Sequence, residues 1–95
     1  MQRYTKDTPE LAAASLTETG YGQVAEYEVK AHPQGRWAIR LFQHKRKPDK
    51  EGRECFAVQY GCQIDAPLTY GDACDKLGQA LMHATCCDGL IVQAD

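Results

Sequence analysis

The chain lacks any long apolar stretch. Runs such as Leu11–Ala14 and Leu90–Val92 fall far short of the roughly 20 residues that a membrane-spanning helix needs. The first residues, Met1-Gln2-Arg3-Tyr4-Thr5-Lys6-Asp7, hold no apolar core of an export signal, so the protein is expected to stay in the cytoplasm and to avoid membranes. No Cys-x-x-Cys pair is present. The five cysteines, Cys55, Cys62, Cys74, Cys86 and Cys87, are odd in number and irregularly spaced, which points to reduced thiols rather than a disulfide framework. Neither a glycine-rich dinucleotide loop nor a P-loop occurs, and Gly20-Tyr21-Gly22 reads as a turn. Internal repeats, low-complexity segments and linkers are also missing. With 95 residues there is material for one core, so a single domain over 1–95 is expected.

What is present is an ordinary globular composition, 43% hydrophobic and 25% charged, which argues against disorder. The net charge of −2 hides an asymmetry. Between Arg36 and Arg53 lie seven basic residues and only two acidic ones, Asp49 and Glu51, while the rest of the chain is strongly acidic. A basic lobe on an acidic body is either a solvated loop or a contact site for phosphate or an acidic protein surface.

Turn and periodicity signals give an α+β order of helix, three strands, helix. Thr8-Pro9-Glu10 starts the first helix, with Leu11, Ala12, Ser15 and Leu16 on one side and Gly20 and Gly22 beyond its end. Ala25–Ala31 and Trp37–Leu41 alternate as half-buried strands. A three-residue turn, Pro33-Gln34-Gly35, pairs Val29 with Ile39, Tyr27 with Leu41 and Ala31 with Trp37, and sets Arg40 opposite Glu28. Cys55–Tyr60 is the third strand, pairing Phe56 with Leu41 and Val58 with Ile39, with Lys47-Pro48-Asp49-Lys50 near the hairpin tip. Pro67-Leu68-Thr69 starts the main helix, whose buried stripe is Ala73, Leu77, Ala80, Leu81 and Ala84, flanked by Cys74 and Cys87. Asp88-Gly89 ends it, and Leu90-Ile91-Val92 packs back on the core, as a short final strand in one reading. The expected fold is a three-stranded antiparallel meander with both helices on one face. Tyr27, Trp37, Ile39, Leu41, Phe56, Val58, Tyr60, Leu77 and Leu81 then form the core, and the other sheet face is open. The first and third strands become edges, the first long enough to carry a homodimer.

No catalytic constellation emerges, so the protein is not expected to be an enzyme or to carry a cofactor. His83, Cys86 and Cys87 cluster near the main helix's end, but a zinc site would need a fourth ligand from elsewhere. A His83–Cys86 thiolate pair lacks an oxyanion hole. The layout resembles the double-stranded-RNA-binding domain. That resemblance implies a lysine cluster opening the second helix, where this chain has Tyr70-Gly71-Asp72-Ala73-Cys74-Asp75-Lys76. The size, acidic body and absence of catalytic motifs also resemble the small accessory proteins of phages and mobile elements, anti-CRISPR proteins among them. That likeness implies a stoichiometric inhibitor that occludes a surface on a host defence complex, and it transfers no site residue.

The expected partner is therefore a protein with an acidic surface; the alternative readings are a single-stranded nucleic-acid-binding domain that uses the basic hairpin and a housekeeping interaction domain. The expected contact surface is the open sheet face and basic hairpin: Arg36, Arg40, Phe42, His44, Lys45, Arg46, Lys47 and Arg53, with Phe42 as the aromatic anchor. The outer side of the main helix, with Gln79, Met82, His83 and Cys86, is the second choice. Mass spectrometry of the unreduced, alkylated protein is expected to find five free thiols, and elemental analysis no zinc. One metal per chain would overturn the latter.

Overall fold

Two threonines start the two helices. In the computed structural model, which describes residues 2–29, 37–48, 54–86 and 91–94, the Thr8 hydroxyl accepts from the Leu11 amide at 3.1 Å and opens α1, Pro9–Glu18. The Thr69 hydroxyl accepts from the Asp72 amide at 3.2 Å and opens α2, Tyr70–Cys86. Each hydroxyl satisfies one of the amides that a helix start leaves unpaired. The strands are β1 (Gln2–Thr5), β2 (Tyr21–Val29), β3 (Trp37–Pro48), β4 (Glu54–Tyr60), β5 (Gln63–Leu68) and β6 (Ile91–Ala94). They form one sheet in the order β1-β5-β4-β3-β2-β6, antiparallel throughout. No helix among the described residues is long and apolar enough to cross a membrane.

The α+β class is as expected, but the three-stranded meander is not. It is the middle of a sheet extended by β5 and β1 on one side and by β6 on the other. The helices also lie on opposite faces rather than on one. Ala12 and Leu16 of α1 pack on Phe42, Ala57, Ile64 and Ala66. Ala73 of α2 packs with Leu41, Phe56, Val58 and Leu68, and its Ala80 and Ala84 with Val29 and Ile39. Successive residues of a strand point to opposite faces, so Phe42 and Ala57 lie on the reverse of Leu41 and Val58. The physical reason is that β3 and β4 are apolar on both faces. Ala38 and Phe42 back onto Ile39 and Leu41, and Cys55 and Ala57 onto Phe56 and Val58, all of them buried. Such strands need cover on both sides.

Two bulges let single strands serve both layers. In β2 the register shifts between Gln23 and Ala25. Tyr21 therefore packs with the α1 cluster, Ala25 with the α2 cluster, and the extra residue, Val24, is exposed. In β5 the pairing to β4 shifts between Phe56 and Val58. Ile64 and Ala66 face α1, whereas Leu68 faces α2. Pro67 sits in that irregular stretch, past the last β1 partner at Ala66, where no ladder needs its missing amide proton.

Both expected hairpins form with the correct faces but slide by two residues. Val29 pairs with Trp37, Tyr27 with Ile39 and Ala25 with Leu41, while Leu41 pairs with Val58 and Ile39 with Tyr60. A slide of two preserves every side chain's face. The turn Pro33-Gln34-Gly35, Ala31 and the helix end Asp88-Gly89 lie outside the described residues, as do Cys87 and the side chain of Trp37. Ile39, Leu41, Phe56 and Val58 are buried as expected, and Tyr27, Tyr60, Leu77 and Leu81 are partly so. Leu11 and Cys74, read as core-side residues, are exposed. The expected homodimer edge does not exist either. β2 is paired on both sides, by β3 and β6, and β4 is interior.

A polar side chain sits at the centre. Gln59 in β4 is fully buried, yet its amide nitrogen donates to the carbonyls of Pro9 (2.9 Å) and Gly61 (2.7 Å). Its oxygen accepts from Arg40 at 3.2 Å, and Arg40 in turn donates to Glu26 at 2.7 Å. Gln59→Leu is therefore expected to destabilise by at least about 1–3 kcal/mol, since it orphans buried partners. Ile39→Ala, which opens a cavity under α2, is expected to cost on the order of 2–5 kcal/mol. Denaturant unfolding measures both, and a Gln59→Leu protein as stable as the parent would contradict the network's role.

Candidate functional site

The width of the sheet creates the candidate site. Six strands about 4.8 Å apart make a surface far wider than one helix about 10 Å across. On its own face α2 packs chiefly over β4 and β3, and meets β5 mainly at Leu68, leaving the rest of the β5–β1 flank open. The result is a groove of about 670 Å³ between α2 and β5–β1. Lys76, Gln79, Ala80 and His83 of α2 form one wall, and Arg3, Thr5, Gln63 and Asp65 the other, with Val58, Tyr60 and Cys62 between them.

The polar contacts within it are specific. Arg3 donates to the side-chain oxygen of Gln63 at 2.9 Å, and its Nε lies 3.8 Å from Asp65 Oδ1. That carboxylate oxygen is buried and receives no hydrogen bond, so Arg3 supplies its compensation as an ion pair. Tyr60 Oη and His83 Nδ1 share a hydrogen bond of 3.1 Å, and their rings meet edge to face at 5.6 Å. Cys62, at the turn after β4, directs its thiol to the Asp7 carbonyl at 3.8 Å. No group of three His, Cys, Asp or Glu side chains among the described residues is arranged to hold a metal.

The expected contact surface is largely committed to the fold. Phe42, read as the exposed anchor, is 2% exposed beneath Ala12 and Leu16, because α1 covers the face that was expected to be open. Arg40 pairs with Glu26, not with Glu28, and also serves Gln59. Glu28 instead lies opposite Ala38. His44 Nε2 lies 2.8 Å from the Thr19 carbonyl at the end of α1, and its ring meets Tyr21 edge to face at 4.9 Å. Lys45 is exposed, and its stem lies across Gly22, where an added Cβ would meet Lys45 Cε at 2.6 Å. Arg36 and Arg53, and the side chains of Arg46 and Lys47, lie outside the described residues. β3 and β4 pair antiparallel, with Pro48 opposite Glu54.

The second-choice surface is solvent-facing. Gln79, Met82 and His83 are exposed, and the side chain of Cys86 lies outside the described residues. Tyr70, Cys74, Gly78 and Met82 form an exposed row at four-residue spacing. The Tyr70 hydroxyl donates to the Cys74 sulfur, which favours the protonated phenol and raises its pKa above the ordinary value. Tyr70 also packs edge to face on Phe56 at 5.4 Å. Sequence reasoning missed the groove because two of its walls, β1 and β5, were not recognised as strands. Its signal was the alternation of Ile64, Ala66 and Leu68 after a glycine turn.

No protein-family model matches the chain, and no curated protein or solved structure matches it.

Gly20 holds the base of this architecture in a left-handed conformation, φ +103°, and a Cβ there would meet His44 Nε2 at 2.7 Å. Gly20→Ala is expected to destabilise by roughly 1–3 kcal/mol through backbone strain and to displace His44 from Thr19. Thermal unfolding and the His44 ring resonances by NMR report the two effects separately.

Proposed function

We propose that this protein is a non-enzymatic binding module whose docking surface is the exposed row of α2, Tyr70, Cys74, Gly78 and Met82. It works stoichiometrically, by occluding a surface of a partner protein, in the manner of the phage and mobile-element inhibitors that its size and composition resemble. One observation carries the reading. Gly78 lies midway along α2, and a Cβ added there would meet nothing within 4 Å. Glycine inside a helix costs about 1 kcal/mol relative to alanine, and no neighbour among the described residues requires it. A partner backbone approaching between Tyr70 and Met82 does. Those two side chains, among the largest exposed apolar groups at 64% and 69%, supply the anchors on either side.

Charge favours a partner with an acidic surface. Seven bases against two acids lie between Arg36 and Arg53. The β4 end of the hairpin that holds most of them reaches Tyr70 through Phe56. These charges steer encounter, and the apolar row holds the complex.

Gly78 makes the test selective. Gly78→Ala is expected to stabilise the fold by about 0.5–1 kcal/mol. Gly78→Arg and Met82→Asp are expected to fold normally and to lose a partner that the parent retains after nuclease treatment. Affinity purification from a bacterial lysate, then binding measurements with the purified partner, reads both. Undiminished binding by Gly78→Arg would remove the α2 row as the docking surface, and loss of cargo on nuclease treatment would point to nucleic acid.

A further inference from the structure

Lys76 has no structural employment. It is half-buried on the groove flank of α2, yet it makes no ion pair within 4 Å among the described residues, although Asp72 is one helical turn away. Across the groove, Asp65 is already engaged by Arg3. Two cations, Arg3 and Lys76, thus line the groove with one carboxylate, and the groove carries an excess of positive charge inside an acidic protein. A groove lined by an excess of positive charge attracts an anionic ligand.

We propose that the groove is a binding site for a small organic anion, its carboxylate or phosphate held by Lys76 and Arg3 and its apolar body resting on the Tyr60 ring. Arg3 is already oriented by Gln63 and Asp65, so little side-chain freedom is lost on binding. Of the two cations, Arg3 is the more exposed and stands at the rim. Tyr60 is fixed by His83. If the Tyr60 hydroxyl donates to Nδ1, a neutral His83 carries its proton on Nε2 and offers a further donor. The amides of Gln63 and Gln79 complete a polar rim. The volume, about 670 Å³, falls in the range of small-molecule sites. The site does not depend on the docking surface proposed above. At about 100° per residue, Lys76 and His83 lie on one flank of α2, and Tyr70 and Gly78 lie on the other.

NMR titration of the full chain with three probes tests this: inorganic phosphate, benzoate and adenosine 5′-monophosphate. Benzoate or the nucleotide is expected to give saturable shifts centred on the amides of Lys76, Gln79, His83 and Tyr60, and to bind more tightly than inorganic phosphate. Which of the two binds more tightly identifies the anionic group as carboxylate or phosphate. Lys76→Met is expected to weaken that binding about ten-fold or more, whereas Lys76→Arg retains it, and the rest of both spectra should match the parent. Shifts that fail to saturate at millimolar probe, an affinity for inorganic phosphate equal to that for both organic probes, or undiminished binding by Lys76→Met would overturn the proposal.

Discussion

One buried amide ties the layers together. Gln59 is inaccessible to water, so each hydrogen bond it makes must come from the protein. Its partners belong to the first residue of α1, the turn between β4 and β5, and Arg40 in β3. Through Arg40 the network reaches Glu26 in β2. A displaced α1, a slipped β3 or a different turn after Tyr60 would leave one of these groups unsatisfied in a low-dielectric interior, where the penalty is large. Apolar packing gives the two cores their cohesion, but it tolerates sliding. The Gln59 network does not, and it selects one relative placement of helix, turn and strands.

How legible this was depended on which physical signal each segment carried. The threonine caps and both long helices were readable, because the capping chemistry is local. The alternation in β2, β3 and β4 gave the correct faces, yet alternation is indifferent to a slide of two residues, and both registers were off by that amount. Two features around β5 went unread. Gly61, with φ +56°, opens a two-residue turn that leads straight into a strand. Pro67 was read with Leu68 and Thr69 as the start of the main helix, whereas it belongs to an irregular stretch of β5. The expectation that Phe42 lies on an open face followed from counting only Ile39 and Leu41 as inward. Phe42, Ala38 and Ala57 mark a second buried face that the same strands needed covered. The alternation of Ile64, Ala66 and Leu68 could have revealed one wall of the groove, but not its pairing, since Arg3 and Asp65 lie far apart in sequence and meet only through the β1–β5 ladder.

The two surfaces singled out here share an origin. A sheet of six strands carries one long helix on the α2 face, so that helix has two flanks that meet the sheet only at points such as Tyr70 on Phe56 and His83 on Tyr60, and an outward side in solvent. Residues on its core stripe, such as Ala73, Ala80 and Ala84, are fixed by packing. Gly78 and Lys76 are not: a Cβ at Gly78 would meet nothing within 4 Å, and Lys76 lines the groove. The basic hairpin is the converse case, since several of its side chains that looked available, Phe42, Arg40 and His44, are spent on internal contacts.

The order of strands in the sheet also dictates an order of events as the chain folds. β2 to β5 are sequential neighbours and can zip as successive hairpins. The outermost pairings are of another kind. Gln2 meets Ala66 and Glu26 meets Ala94, each more than sixty positions away along the chain. Closing loops of that length is entropically costly until the intervening meander exists, so the margins of the sheet assemble last. On the ribosome β1 emerges early and must wait, unpaired, until β5 has been synthesised. Its brevity and its polar residues, Gln2, Arg3 and Thr5, suit a segment that spends that interval in water.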